Sequence, residues 1–222
     1  MKLTMTKSII VYFILFSASI LQASSQTTKY NLAGLATQNK MEVINRKLTT
    51  SASDSISSVH ISSNENDGVA WIDGLEFSNG IIEIDIKGKD VLQQSFVGIA
   101  FHGVDEKKLD VIYFRPFNFQ STDTVRRSHA VQYAAHPDYP WQVLREKFPG
   151  QYENKILPAP GPNAWFHVKI VVTYPAIKVF VNNNSGFCLN VKQLNERKNG
   201  KLGLWVGNTS DGDFANLTIT KQ

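Results

Sequence analysis

Apolar and polar residues alternate with a period of two through much of the chain after Gly80. Ile82, Ile84 and Ile86 alternate with Ile81, Glu83 and Asp85, and Phe77-Ser78-Asn79-Gly80 supplies the entering turn. Such alternation predicts strands that bury one face. Further strands are expected at 96–102, 109–115, 130–133, 166–173, 177–181, 202–206 and 214–220. Gly103, Pro116, Pro175 and Asn182-Asn183-Asn184 interrupt them. Upstream, two strands are expected near 42–48 and 57–62, while 26–40 shows no strong pattern. No long amphipathic helical period is present, and one helical turn is expected near 142–147. Many short strands separated by Gly, Asn and Pro turns predict an all-β fold, a two-sheet antiparallel jelly-roll sandwich.

Side-chain parity then sorts residues by face. With Ile112 and Phe114 in the core, Tyr113 and Arg115 point out together. With Val97, Ile99 and Phe101 inside, His102 joins Gly98 and Ala100 on the other side, where the two small residues leave a shallow floor. Gln132 and Trp205 are outward by the same rule, and the Pro-rich stretch 137–162 with Trp141 walls the face. An aromatic plane takes the apolar C–H face of a sugar ring. Arg, Asn and Gln offer paired groups that match neighbouring hydroxyls. Tyr113, Arg115, Asn118, Gln132, Trp141 and Trp205 are therefore candidate ligand-binding residues, with His102 as an accessory polar group. If Arg115 contacts ligand, its replacement by Ala should abolish binding and leave the melting temperature nearly unchanged. Glu146, and after it His102, are the candidates for acid–base work.

Composition narrows the classes. Hydrophobic residues are 42% and charged residues 19% of the 222, which excludes a disordered or collagenous chain. Lys2 and Lys7 precede an apolar run from Ile9 to Leu21, and Ala23-Ser24-Ser25 offers small residues for cleavage. These are the parts of a secretory signal, so residues 1–25 are expected to be removed. The protein is then secreted or periplasmic, with no membrane anchor after removal; the alternative is that the apolar run is retained as an anchor. Removal of the two lysines lowers the formal charge from +4 to +2, too little for a nucleic-acid binder relying on phosphate neutralisation. Residues 26–68 are expected to contribute edge strands to a sandwich domain spanning 69–222. The single cysteine, Cys188, has no partner for an internal disulfide and sits in an apolar alternation, as a small core residue would.

Three further motifs carry less. Glu83-Ile84-Asp85 is similar to the Glu-x-Asp-x-x-Glu strand of sandwich-fold glucanases, but Gly88 stands at the third carboxylate position. Asp211-Gly212-Asp213 is two acids of a calcium loop, too few to assign a structural calcium; an Asx turn between strands is the better reading. The five histidines show no metal-ligand spacing, so no cofactor is expected.

Gly98-Ile99-Ala100-Phe101-His102-Gly103, Tyr113-Phe114-Arg115-Pro116-Phe117-Asn118-Phe119, Ala130-Val131-Gln132-Tyr133, Trp165-Phe166-His167-Val168-Lys169, Lys178-Val179-Phe180-Val181-Asn182 and Asp213-Phe214-Ala215-Asn216-Leu217 together resemble the concanavalin A-like lectin/glucanase superfamily. Within it they are most similar to the domain of unknown function 1080, the 3-keto-disaccharide hydrolase family, described as glycoside-hydrolase-16-like. The resemblance covers about Val69 to the end. It implies a jelly roll, export from a bacterial cell and a carbohydrate ligand, and leaves open whether a glycosidic bond is cleaved. A non-catalytic adhesion or interaction module of the laminin-G type is the alternative.

Overall fold

The computed structural model describes residues 26–53 and 56–222; the expected leader, residues 1–25, lies outside the described residues. In chain order the elements are β1 (Gln26–Tyr30), α1 (Leu32–Thr37), β2 (Met41–Ile44), β3 (Leu48–Ser53), β4 (Ile56–Ile61), β5 (Gly68–Phe77), β6 (Gly80–Lys87), β7 (Val97–Gly103), β8 (Asp110–Phe114), α2 (Pro116–Phe119), α3 (Thr124–Arg127), β9 (Val131–Ala135), α4 (Trp141–Lys147), β10 (Glu153–Asn154), β11 (Phe166–Thr173), β12 (Ala176–Val181), β13 (Leu189–Lys192), β14 (Gly200–Val206) and β15 (Gly212–Lys221).

They form two antiparallel sheets. One has eight strands, ordered β13-β12-β11-β6-β15-β4-β3, with β1 also on β15. The other has seven, ordered β10-β9-β8-β7-β14-β5-β2. The core lies between them. From the eight-stranded sheet it receives Ile82, Ile84 and Ile86 of β6 and Phe166, Val168, Ile170 and Val172 of β11, all buried. The other sheet supplies Ile99, Ile112, Phe114, Tyr133 and Leu204. The Phe114 and Phe166 rings meet edge to face across the gap at 5.2 Å. Each such aliphatic side chain contributes about 1.5–3 kcal/mol by leaving water, which is what holds the sheets face to face.

The two outer faces differ. On β6 and β11 every second residue is partly exposed, so Glu83, Asp85, His167 and Lys169 face solvent. On β7, β8 and β9 every residue is buried on both faces. Alternation of hydrophobicity is accordingly sharp in the first sheet and blurred in the second.

Several segments were not legible in the hydrophobic pattern, β1 and α1 among them. β1 is polar and largely exposed, and is held by backbone pairing along β15, from Gln26 opposite Lys221 to Tyr30 opposite Leu217. The short α1 starts at Asn31, whose side-chain oxygen accepts from the Gly34 N–H at 3.0 Å.

Candidate functional site

Backbone register builds one transverse row on the outer face of the seven-stranded sheet. Gln132 of β9 lies opposite Tyr113 of β8, Tyr113 opposite Gly98 of β7, and Gly98 opposite Trp205 of β14. Because Gly98 has no side chain, the Tyr113 and Trp205 rings close over it with centroids 5.2 Å apart. The Tyr113 hydroxyl donates to Gln132 Oε1 at 2.8 Å. Arg115, two residues along the strand, brings Nη2 to the same Oε1 at 2.5 Å and to the Tyr113 oxygen at 2.8 Å. Its Nη1 donates to the His129 carbonyl at 2.8 Å. The guanidinium also lies 4.8 Å from the Tyr113 ring centroid and 5.6 Å from that of Phe96.

This cluster is covered. Phe96 packs on Tyr113 at 6.2 Å and on Phe117 of α2 at 5.4 Å, which closes the segment after β8 over the row. Arg115 is 4% exposed, and Tyr113, Gln132 and Trp205 are likewise buried. Burial raises the Tyr113 hydroxyl pKa and lowers that of Arg115, since each charged form loses water. The shallow floor expected from Gly98 and Ala100 is thus filled by the protein's own rings, and Arg115 is a buried scaffold residue rather than an open ligand contact.

Beside the cluster a second layer reaches solvent. Glu153 of β10 pairs with Gln132 in register and points to the same face. Arg145 of α4 forks onto it, with Nε to Oε1 at 3.0 Å and Nη2 to Oε2 at 2.9 Å. His129 Nδ1 lies 2.8 Å from Oε2, and Arg115 Nη1 lies 3.8 Å from it. Burial depresses the His129 pKa, as do the neighbouring Arg145 and Arg115 charges, against the pull of Glu153. The Arg145 guanidinium stacks 4.9 Å from the Trp141 ring centroid, and Trp141 is 43% exposed. One buried carboxylate so organises two guanidiniums and an imidazole, with an aromatic plane at the surface.

The remaining expected residues lie elsewhere. His102 does not join the outer face. Its φ of 48° breaks the alternation, and the register of β14 shifts nearby. The ring turns into the core, 0% exposed, stacked on Phe77 at 6.1 Å, with Nε2–H donating to the Ser78 carbonyl at 2.7 Å. Burial lowers its pKa, despite the Ser78 carbonyl and Asp110. It is therefore neither a ligand contact nor an acid–base group. Glu146 is exposed on α4 and makes no hydrogen bond or ion pair among the described residues, because the fork of Arg145 is taken by Glu153. Asn118 is buried and braces α3, accepting from Arg126 Nε at 3.2 Å. Asp85 and Glu83 point out from the opposite sheet, with His167 Nδ1 2.7 Å from Asp85. Asp211 faces the Lys89 ammonium at 2.5 Å and Asp213 has His60 Nδ1 at 2.8 Å, so side chains of the protein itself engage both carboxylates.

The sequence offers Glu153 only as one of several acids of the aromatic loop open to acid–base work, and Arg145 only as a neighbour of Glu146; it does not pair the two. The one signal was their spacing. Arg145 in the last turn of a short helix, eight residues before an edge-strand acid, can fold back on it across the intervening turn.

No protein-family model matches the chain, and no curated protein matches it in sequence. Solved structures do match in fold. The carbohydrate-binding module CBM66 from Bacillus subtilis is 12% identical, with 82% of this chain and 92% of that one covered and a TM-score of 0.55. A protein of unknown function with galectin-like fold, also from Bacillus subtilis, is 10% identical over 89% of this chain and 98% of that one, with a TM-score of 0.59. Domain 4 of AbnA, a GH43 extracellular arabinanase from Geobacillus stearothermophilus in complex with arabinotriose, is 15% identical over 89% and 93%, with a TM-score of 0.53. At these identities the similarity is one of fold: the chain is an antiparallel sandwich of the galectin-like and concanavalin A-like kind.

Proposed function

We propose that this protein is an exported carbohydrate-binding sandwich that holds a glycan against the Trp141–Arg145–Glu153 rim and does not cleave it. The observation that carries the reading is the exposed Trp141 ring, with Arg145 fixed beside it by the fork on buried Glu153. An aromatic plane with a rigid polar fork at its edge suits a sugar ring, whose C–H face is apolar and whose rim is hydroxylated. The buried row of Gln132, Tyr113 and Trp205 serves as its foundation, because packed side chains hold a binding group in place better than a loop alone.

Binding without turnover fits the carboxylates. Glycoside hydrolysis uses two acids, one free to protonate and one free to attack or to activate water. Both oxygens of Glu153 are engaged by Arg145, and Oε2 also by His129. His102 is enclosed in the core and cannot meet a bound glycan. The fold-level matches, which include a carbohydrate-binding module and a domain seen with arabinotriose, support a carbohydrate ligand. Kinship with the domain of unknown function 1080, and delivery to the periplasm or medium by a leader at 1–25, belong to the same proposal. A glycan array probed with the wild-type protein and with Trp141→Ala tests it. Glycans bound by the first and lost by the second are expected; equal signals from both would overturn the assignment of the rim.

A further inference from the structure

The strand next to β15 changes partway along it. β4 pairs as far as Ala215, opposite Ser58, and β1 takes over at Leu217, opposite Tyr30. Between them Asn216 sits with φ 55° in a bulge, where the register against β6 shifts. A bulge re-aims the side chain it carries and interrupts the ladder. At this seam is a cavity of about 470 Å³, lined among others by Lys29, Tyr30, Leu32, Ser57, Asn216 and Thr218. That volume lies in the range of small-molecule sites.

The Asn216 amide is held in one orientation. Its Nδ2 donates to Asp85 Oδ2 at 2.6 Å, and the other oxygen of Asp85 is engaged by His167 Nδ1 at 2.7 Å. Asn216 Oδ1 and the Lys29 ammonium, both at exposed positions, make no hydrogen bond or ion pair among the described residues. The cavity therefore offers one fixed acceptor and one donor, with the hydroxyls of Ser57, Thr218 and Tyr30 around them. Leu32 and the Tyr30 ring give it an apolar wall. Burial raises the Tyr30 pKa, as expected for a hydroxyl in a partly dry recess. Asp85 lies behind Asn216, and Glu83 sits opposite Thr218 in register, so the surroundings disfavour an anion.

We infer that this seam is a second ligand site, on the opposite sheet from the Trp141 rim, and that it takes one neutral monosaccharide unit. A hydroxyl of the sugar donates to Asn216 Oδ1, another accepts from Lys29, and the C–H face lies on Tyr30 and Leu32. The site is independent of the proposed rim: either can bind sugar if the other does not.

The test is an NMR titration of the wild-type protein with D-glucose, D-galactose, D-mannose and L-arabinose, each added separately. Saturable amide shifts at Tyr30, Asn216 and Thr218 are expected with at least one sugar, in the millimolar range typical of weak contacts. Ser57→Trp, at an exposed strand position, should plug the cavity and weaken that response by about tenfold or more. Lys29→Met removes the donor without filling space and should weaken it several-fold, and Trp141→Ala should leave it unchanged. No saturable shift with any of the four sugars, or shifts that persist at full affinity in both Ser57→Trp and Lys29→Met, would overturn the site.

Discussion

Tyr113 and Trp205 sit on strands that are not neighbours, yet their rings meet at 5.2 Å because the strand between them presents Gly98. A Cβ built on Gly98 would lie 2.1 Å from the Ile112 carbonyl oxygen and 2.8 Å from Tyr113 Cβ. The first of these is backbone and cannot swing aside. Gly98→Ala should therefore push β7 and β8 apart and cost about 3 kcal/mol, the upper part of the usual range for overpacking. For a domain of this size that is a fall of about 6–12 °C in Tm by calorimetry. A Tm within error of wild type would mean that the strands do not approach so closely.

Arg115 is the next case. Its guanidinium donates to three acceptors inside the protein and has Glu153 Oε2 at 3.8 Å. Arg115→Ala leaves Gln132 Oε1 with one fewer donor, the His129 carbonyl without that donor, and Glu153 with one cation fewer. Breaking a buried charged network from one side costs about 3–5 kcal/mol. Urea denaturation should show that loss. Arg115→Lys should recover little of it, since one ammonium cannot span the same acceptors. Full stability in Arg115→Ala would restore the residue as a candidate ligand contact.

What was legible in the sequence follows from which faces meet water. β6 and β11 have one wet face, so Ile82-Glu83-Ile84-Asp85-Ile86 shows its period openly. Parity also set Tyr113, Arg115, Gln132 and Trp205 on one side of a sheet. It could not reveal that Phe96 and Phe117 cover them, because a strand buried on both faces has no alternation to lose. His102 escaped for a local reason, its left-handed φ, which no spacing announces. β1 escaped because backbone pairing holds it, and Gln-Thr-Thr-Lys-Tyr carries no apolar period. The Arg145–Glu153 fork depends on a helix folding back onto an edge strand, and strand parity does not describe that contact.

Trp141 separates recognition from folding. Its ring is half in solvent, and surface truncations of this kind usually change stability by less than about 0.5 kcal/mol. Trp141→Ala should melt within about 2 °C of wild type. Arg145→Ala should also fold, but it withdraws a partner from a buried carboxylate and should cost about 1–2 kcal/mol. If both variants retain glycan affinity, the rim is a structural brace and the ligand lies elsewhere.

The outer face of the eight-stranded sheet carries a titration that can be isolated. The His167 pKa is raised above its ordinary value of 6.5, first by its hydrogen bond with Asp85 and then by the Asp85 and Glu83 charges, against desolvation. For Asp85, burial alone would raise the pKa, but the hydrogen bonds from His167 and Asn216 outweigh it and bring it below 3.8. A raised histidine contributes stability that is complete below 6.5 and is lost as pH climbs through the folded value. A lowered carboxylate contributes above 3.8 and loses that contribution as pH falls through its own folded value. The pair is strongest between those two ordinary values. The groups are partly exposed, so its worth is about 1 kcal/mol at most. His167→Gln should therefore melt about 2–4 °C below wild type between about pH 4 and pH 6. The gap should close in alkaline buffer, where the imidazole is neutral in both folded and unfolded chains. A deficit that stays constant across the whole series would show that His167 acts by packing and that its charge contributes nothing to the fold.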